Sequence, residues 1–243
     1  MRNLQVSIIF IFSLALAIFG CASDSHKDSG SKGSGYNPVI DPANFVASID
    51  NTYLPMVPGS TYLYQNVSDT ETQDITVAIT HDTKEILGVT CVVVRDTGKV
   101  SGEVIEDTFD WYAQDKDGNV WYFGEDTKTY ENGQVVSTEG SWEAGVDGAK
   151  PGIVMEAYPK VGDSYRQEYL KEVAEDMSEI LALHQSITVA YGSFNGCVKT
   201  KDWSPLEEGV VENKTFCPDV GQVLAKTVQG GTEHEELISV TAE

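Results

Sequence analysis

Little in this chain points to a reaction. It has four cysteines and four histidines, and 16 Lys and Arg residues stand against 38 Asp and Glu. There is no G-x-S-x-G elbow, no phosphate-binding loop and no dinucleotide glycine pattern, so the common nucleophilic and nucleotide chemistries have no signature here. His234-Glu235-Glu236-Leu237-Ile238 lacks the second His of a zinc-binding HExxH helix. A net charge of −22 repels nucleic acid and anionic head groups, which excludes nucleic acid as a partner. The longest apolar run, Val6 to Phe19, is about 14 residues, short of the roughly 20 that a spanning helix needs.

That short run is nevertheless informative. Arg2 precedes it, and Ile18-Phe19-Gly20-Cys21 ends it, with small Gly20 directly before the cysteine. This is the form of a bacterial lipoprotein signal over residues 1–20, in which Cys21 becomes the diacylated first residue of the mature chain. Buried acyl methylenes, each worth about 0.8 kcal/mol, then hold the protein on a membrane. Ala22 follows the cysteine, where an Asp favours inner-membrane retention, so the expected location is the outer membrane of a diderm bacterium. Residues 21–35 read CASDSHKDSGSKGSG, with no large apolar side chain. Such a segment cannot offset its ordering entropy, and as a flexible tether it reaches about 20 Å.

Residues 36–243 are then one domain, long enough for a buried core and without a second linker. From Thr61 onward, β-branched and aromatic runs alternate with turn residues: Thr61–Val67, Asp74–Thr80, Val89–Arg95, Glu103–Ala113, Val120–Phe123 and Val135–Trp142, then Ser164–Leu170, Ser186–Tyr191, Cys197–Trp203, Val210–Phe216, Gln222–Val228 and Glu235–Val240. The spacing predicts a mainly β fold, a single antiparallel sheet that curls strongly into an open or closed barrel. Asp117-Gly118-Asn119 and Asn132-Gly133 have hairpin-turn chemistry. Glu172–Leu183 places Val173, Met177, Ile180 and Leu181 at helical spacing but also suits a bulged strand, which is preferred because no cap separates it from Ser186. Pro55 to Gly59, Pro159 to Gly162 and Pro218 to Gly221 each set a Pro and then a Gly just before a strand, as three similar launching turns.

Three cysteines remain once Cys21 is lipidated. Cys197 and Cys217 are the favoured disulfide, closing a loop of about 20 residues worth on the order of 3 kcal/mol, and Cys91 reads as a buried small residue within Val89–Val94. Asp115, Asp117 and Asn119 have the one-three-five spacing of calcium ligands, although Val120 stands where an EF-hand loop has Gly; a hairpin turn explains the same residues. Calcium at these oxygens is the one cofactor considered, and otherwise none is expected. Trp111, Trp121 and Tyr122 flank this turn as candidates for stacking on a glycan or apolar ligand, with core packing as the alternative. Asp107, Asp110, Glu125 and Asp126 lie beside them and would suit a glycosidase-like hydrolase if two of them stood about 5–10 Å apart.

Three segments carry a resemblance: Asp110-Trp111-Tyr112-Ala113-Gln114-Asp115-Lys116-Asp117-Gly118-Asn119-Val120-Trp121-Tyr122-Phe123-Gly124-Glu125, Gly140 to Ala149, and Thr188 to Phe194. The chain resembles, over about residues 41 to 240, an uncharacterised family of bacterial exported lipoproteins, a resemblance that implies no activity. More loosely, the Gly192-Ser193-Phe194 turn and the late Val220-Gly221 strand entry make it similar to LolA-type periplasmic half-barrels, a fold analogy only. The expected function is therefore a lipid-anchored envelope lipoprotein, a non-catalytic binding or structural module for an apolar or glycan ligand. The alternatives are the carboxylate hydrolase and a calcium-stabilised surface protein.

Overall fold

The computed structural model describes residues 35–242; Cys21, the signal and nearly all of the tether lie outside the described residues. In chain order the strands are β1 (Phe45–Val46), β2 (Ser60–Val67), β3 (Thr72–Ile86), β4 (Val89–Val100), β5 (Glu103–Asp115), β6 (Val120–Glu131), β7 (Gln134–Ser137), β8 (Trp142–Glu143), β9 (Lys150–Met155), β10 (Ser164–Arg166), β11 (Glu168–Tyr169), β12 (Met177–Val189), β13 (Gly192–Trp203), β14 (Val211–Cys217), β15 (Gly221–Gln229) and β16 (His234–Ala242). A 3-10 turn over Pro42–Asn44 precedes β1, and the described residues contain no α-helix.

All sixteen strands join one antiparallel sheet; thirteen follow the order β10-β12-β13-β14-β15-β16-β2-β3-β4-β5-β6-β9-β11, while β1 pairs with β5 and β7 and β8 pair with β6. The two ends of that order are one short stretch of chain. β10 bonds to β12 on one side, and β11, beginning two residues after β10 ends, bonds to β9 on the other. A single kinked segment therefore draws the sheet into an almost closed barrel, which removes nearly all free edge. Gly152 permits this seam, because a Cβ there would meet the Arg166 and Gln167 carbonyl groups.

Alternation sets the inside from the outside. On β2, Ser60, Tyr62, Tyr64 and Asn66 are buried, whereas the residues between them are more exposed, and β3 repeats the pattern with Gln73, Ile75, Val77 and Ile79. Hairpins join the consecutive strands, and their turns use positive φ at Asn132-Gly133 and at Gly118. Gly59, Gly162 and Gly221 all have φ near +90°, so the three Pro-to-Gly turns do launch β2, β10 and β15 alike.

Several boundaries differ from expectation. Val135–Trp142 is two short strands, parted where Ser141 folds in to bond Thr127 through its hydroxyl. β9 had no forecast. The segment with helical spacing is strand from Met177 onward, interrupted by register shifts between Ile180, Ala182, Gln185 and Ile187. Those shifts begin only after Ile180: Val173 is in the turn ahead of the strand, and Met177 to Ile180 keep a burial period of two, so the helical pattern joins a turn residue to a regular strand start.

Residues 49–57 form a plug that packs Ile49, Leu54 and Met56 into the core. Ile49 bridges Met56, and Asn51 fixes the turn: its amide nitrogen donates to the Gly118 and Glu156 carbonyls, and its carboxamide oxygen accepts from the Tyr53 and Leu54 N–H groups. Beneath the plug a cavity of about 40 Å³ remains between Leu54, Met56, Tyr62, Ile79, Val94 and Tyr112, room for little more than a water. At the opposite flank, the Tyr36 hydroxyl donates to the Pro151 carbonyl and Lys150 bonds to the Tyr36 carbonyl, fastening the incoming chain to β9. Cys197 and Cys217 form a disulfide between β13 and β14, and Cys91 is a buried free thiol that burial pushes up to about 12. Substituting Gly152→Ala should lower stability to denaturant by about 1–3 kcal/mol, as expected of an overpacked site; an unchanged midpoint would mean that the seam has slack.

Candidate functional site

Asp115 ends β5 and Val120 begins β6, so residues 115–120 are a hairpin turn. Asp115 Oδ1 accepts from the Asn119 N–H at 2.9 Å, and Oδ2 accepts from Asn119 Nδ2 at 2.9 Å and from Trp121 Nε1 at 2.8 Å. Asn119 Oδ1 accepts from the Ala157 N–H at 3.0 Å. Both Asp115 oxygens and the Asn119 carboxamide oxygen are thus engaged by N–H donors. Among the described residues, no group of three or more His, Cys, Asp or Glu side chains is placed to hold a metal ion.

The same clasp builds a cleft of about 190 Å³, lined by Asp41, Asn44, Phe45, Asp115, Asp117 and Trp121. Its two walls are tied by backbone: β1 pairs Phe45 with Asp115, and the Lys116 N–H donates to the Asn44 carbonyl at 2.7 Å. Asp41 caps the 3-10 turn through the Ala43 N–H. Trp121 is half-buried, its N–H held by Asp115 and its ring edge-on to Phe45 at 6.3 Å. The indole is therefore a pre-set platform with a carboxylate and an amide close by.

Trp121 alone of the three aromatic candidates keeps substantial exposure. Tyr122 lies inside the barrel at 0% exposure, stacked on Tyr112 at 4.8 Å, with its hydroxyl donating to Asp110 Oδ1 at 2.7 Å. Trp111 faces outward but is covered by the Lys84 ammonium, 3.3 Å from its ring centre and itself paired with Glu143. The four acids beside them divide by parity. Asp107 and Asp126 point out, bonded to Arg95 and Lys128. Asp110 and Glu125 are cross-strand partners that point in, 5% and 2% exposed.

Sequence reasoning missed what Asp110 and Glu125 belong to. Asp96 and Glu106 stand on the same inward face, and Glu168, Asp176, Asp202, Glu212 and Glu235 continue the set around the wall. One cation joins them: Lys214 Nζ lies 3.2 Å from Asp202 and 3.4 Å from Glu212. Burial alone would lower the Lys214 pKa, but Asp202 and Glu212 outweigh it and raise it. The acids move up. Burial raises Asp110 to about 7, against the pull of the Tyr122 hydroxyl. Burial and then Asp110 raise Glu106 to about 8, and burial and then Glu212 raise Glu235 to about 8. Asp96 and Glu168 go well above the carboxylate range, again chiefly by burial. The inward alternation of Asp96, Glu106 and Asp110 with Val94 and Tyr112 was the available signal.

No family model matches the chain, and no curated protein matches it. A solved structure from Parabacteroides distasonis, described only as that of a candidate lipoprotein, is similar with a TM-score of 0.44 at 10% identity, over 79% of this chain and 99% of that one.

A carboxyl whose folded pKa lies above its unfolded value of about 4 stabilises the fold fully below that value and ceases to as pH rises through the folded value. Asp110, Glu106 and Glu235 place this window between about pH 4 and 8. The melting temperature should thus fall from pH 5 to pH 8, and Glu106→Gln should flatten the slope. A melting temperature that rises over this range would refute the assignment of raised pKa values.

Proposed function

We propose that this chain is a lipid-anchored lipoprotein of the cell envelope, tethered through Cys21, that binds a glycan without catalysis at the cleft beside Trp121. The observation that carries the reading is the half-buried indole, locked through its N–H to Asp115 at the wall of an open polar cleft. A sugar ring presents C–H faces that stack on an indole and hydroxyls that bond carboxylates and amides; Asp41, Asn44 and Asp117 supply such groups. Because β1 and β5 hold both walls in place, little ordering cost falls on binding.

Two other readings fit less well. The cavity under the plug offers about 40 Å³, too little for an acyl chain, which argues against an apolar ligand there. Asp110 and Glu125, the carboxylates that a hydrolase would pair, are enclosed by the wall and out of a saccharide's reach. The anchor rests on the lipobox and on the polar tether that follows it. Ala22 after the cysteine supports the outer membrane.

Calorimetry of the soluble domain against cello-, chito- and malto-oligosaccharides tests the site. At least one should bind, and Trp121→Ala should weaken it about tenfold or more, or about 1.4 kcal/mol; equal binding by the variant would sink the proposal. Separately, Cys21→Ser should move the full chain from the membrane fraction to the soluble fraction, and a variant that stayed with the membrane would remove the lipid anchor.

A further inference from the structure

One face of the barrel runs against the charge of the whole chain. Acids outnumber bases 38 to 16, yet the outward positions of β13, β14 and β15 between 199 and 228 carry Lys199, Lys201 and Lys226 and no acid. Alternation produces the segregation, because the acids of these strands, Asp202 and Glu212, turn inward to Lys214. The register brings the outward groups together: Lys199 lies across from Thr215, Thr215 across from Leu224, and Asn213 across from Lys226. Lys201 is engaged over the Trp203 ring at 4.8 Å. Lys199 and Lys226, like Lys99, Lys116 and Lys160, form no ion pair among the described residues, and the nearest acid in register is Glu236, opposite Leu224 and bonded to His234 and the Ala190 N–H.

The face is also covered from one side. The β12–β13 hairpin bends at its three register shifts, and its tip fastens to β16: the Tyr191 N–H donates to the Leu237 carbonyl at 3.0 Å and the Ala190 N–H to Glu236 Oε2 at 3.1 Å. Between hairpin and wall lies a groove of about 210 Å³, with Ile187 and Lys199 on the hairpin side and Asn213, Thr215, Leu224 and Lys226 on the wall. That volume is below the roughly 300–1,000 Å³ of sites for drug-sized molecules, so the occupant is small.

We infer that this groove binds a small sugar acid, a hexuronate in kind, through its carboxylate. Two ammonium groups that form no ion pair among the described residues supply the charge, and Asn213 and Thr215 offer both donors and acceptors to ring hydroxyls. Ile187 and Leu224 give an apolar surface to the C–H side of the ring. The surrounding protein is strongly negative, so the attraction is local and short-ranged, and salt screens it. The site is separate from the Trp121 cleft and does not depend on it.

The test is calorimetry of the soluble domain with D-glucuronate, D-galacturonate, D-glucose and inorganic phosphate, each at low and physiological salt. The expected result is saturable binding of at least one uronate, weakened by salt, lost or reduced about tenfold in Lys199→Gln/Lys226→Gln, and unchanged in Trp121→Ala. Both lysines are on the surface, and a circular dichroism spectrum of the double variant checks that it folds. Failure of both uronates to bind, equal binding of glucose, or uronate binding that survives the double substitution would overturn the inference. Phosphate bound as well as uronate would reduce the groove to a bare anion site and overturn it too.

Discussion

Carboxyl groups that face one another across a barrel cannot all be ionised while the wall stays shut. Two like charges about 4–6 Å apart at a protein's effective dielectric repel by roughly 3–4 kcal/mol, and each also gives up hydration. The fold meets this constraint in two ways. Protons stay on part of the set, as the raised pKa values of Glu106, Asp110 and Glu235 express. Lys214 neutralises another part, tying Asp202 of β13 to Glu212 of its own strand. Hydroxyl and amide contacts complete the lining, with Thr108 bonded to Glu106, Tyr122 to Asp110, Ser178 to Asp202 and Gln222 to Glu235. The buried apolar residues form a cluster that joins Leu54 and Met56 to Ile75, Val94, Phe216 and Leu237 of the wall, and the acids share the interior with it.

The outer surface inherits its character from that interior. Residues on one strand alternate, and a strand that sends Asp202 or Glu212 inward must send its neighbours outward. The basic face of β13 to β15 is in this sense the reverse side of the Lys214 ion-pair cluster. The Trp121 cleft arises in the same way: Tyr122 goes in to bond Asp110, and Trp121 is left to face out.

How much of this was legible depends on where the period of two survives. β2 and the first half of β3 keep it, while Cys91–Val94, Asp110–Gln114 and Tyr122–Glu125 are buried on both faces, yet their β-branched and aromatic runs and turn residues still let the hairpins be read from Thr61 to Glu131. Parity also separates Trp121 from Tyr122. It misleads ahead of β12, where Val173 of the preceding turn falls at helical spacing with Met177 and Ile180, and it fails at β9, whose Lys150-Pro151-Gly152 start reads as a turn although Gly152 is there to let the seam pass. The interior acids were hidden for a different reason. In a chain with 38 Asp and Glu, one more carboxylate in a strand gives no contrast against the background. The calcium-like spacing of Asp115, Asp117 and Asn119 could not reveal that a Trp N–H and backbone amides bond the Asp115 and Asn119 oxygens. The cleft needed Asp41 and Asn44, which reach Asp115 only through the pairing of β1 with β5.

The attachment of Tyr36 to β9 bears on how the barrel would carry a load. The chain enters the described fold at the strand whose other partner, β11, is two residues long, so a pull from the N-terminal side arrives beside the least reinforced joint in the wall. Long pairings such as β3 with β4 would share such a force over many hydrogen bonds, but two-residue pairings would bear it almost singly. Under tension the barrel would part first along its own seam, as a hoop opens at its clasp, while the meander from β2 to β6 stayed whole.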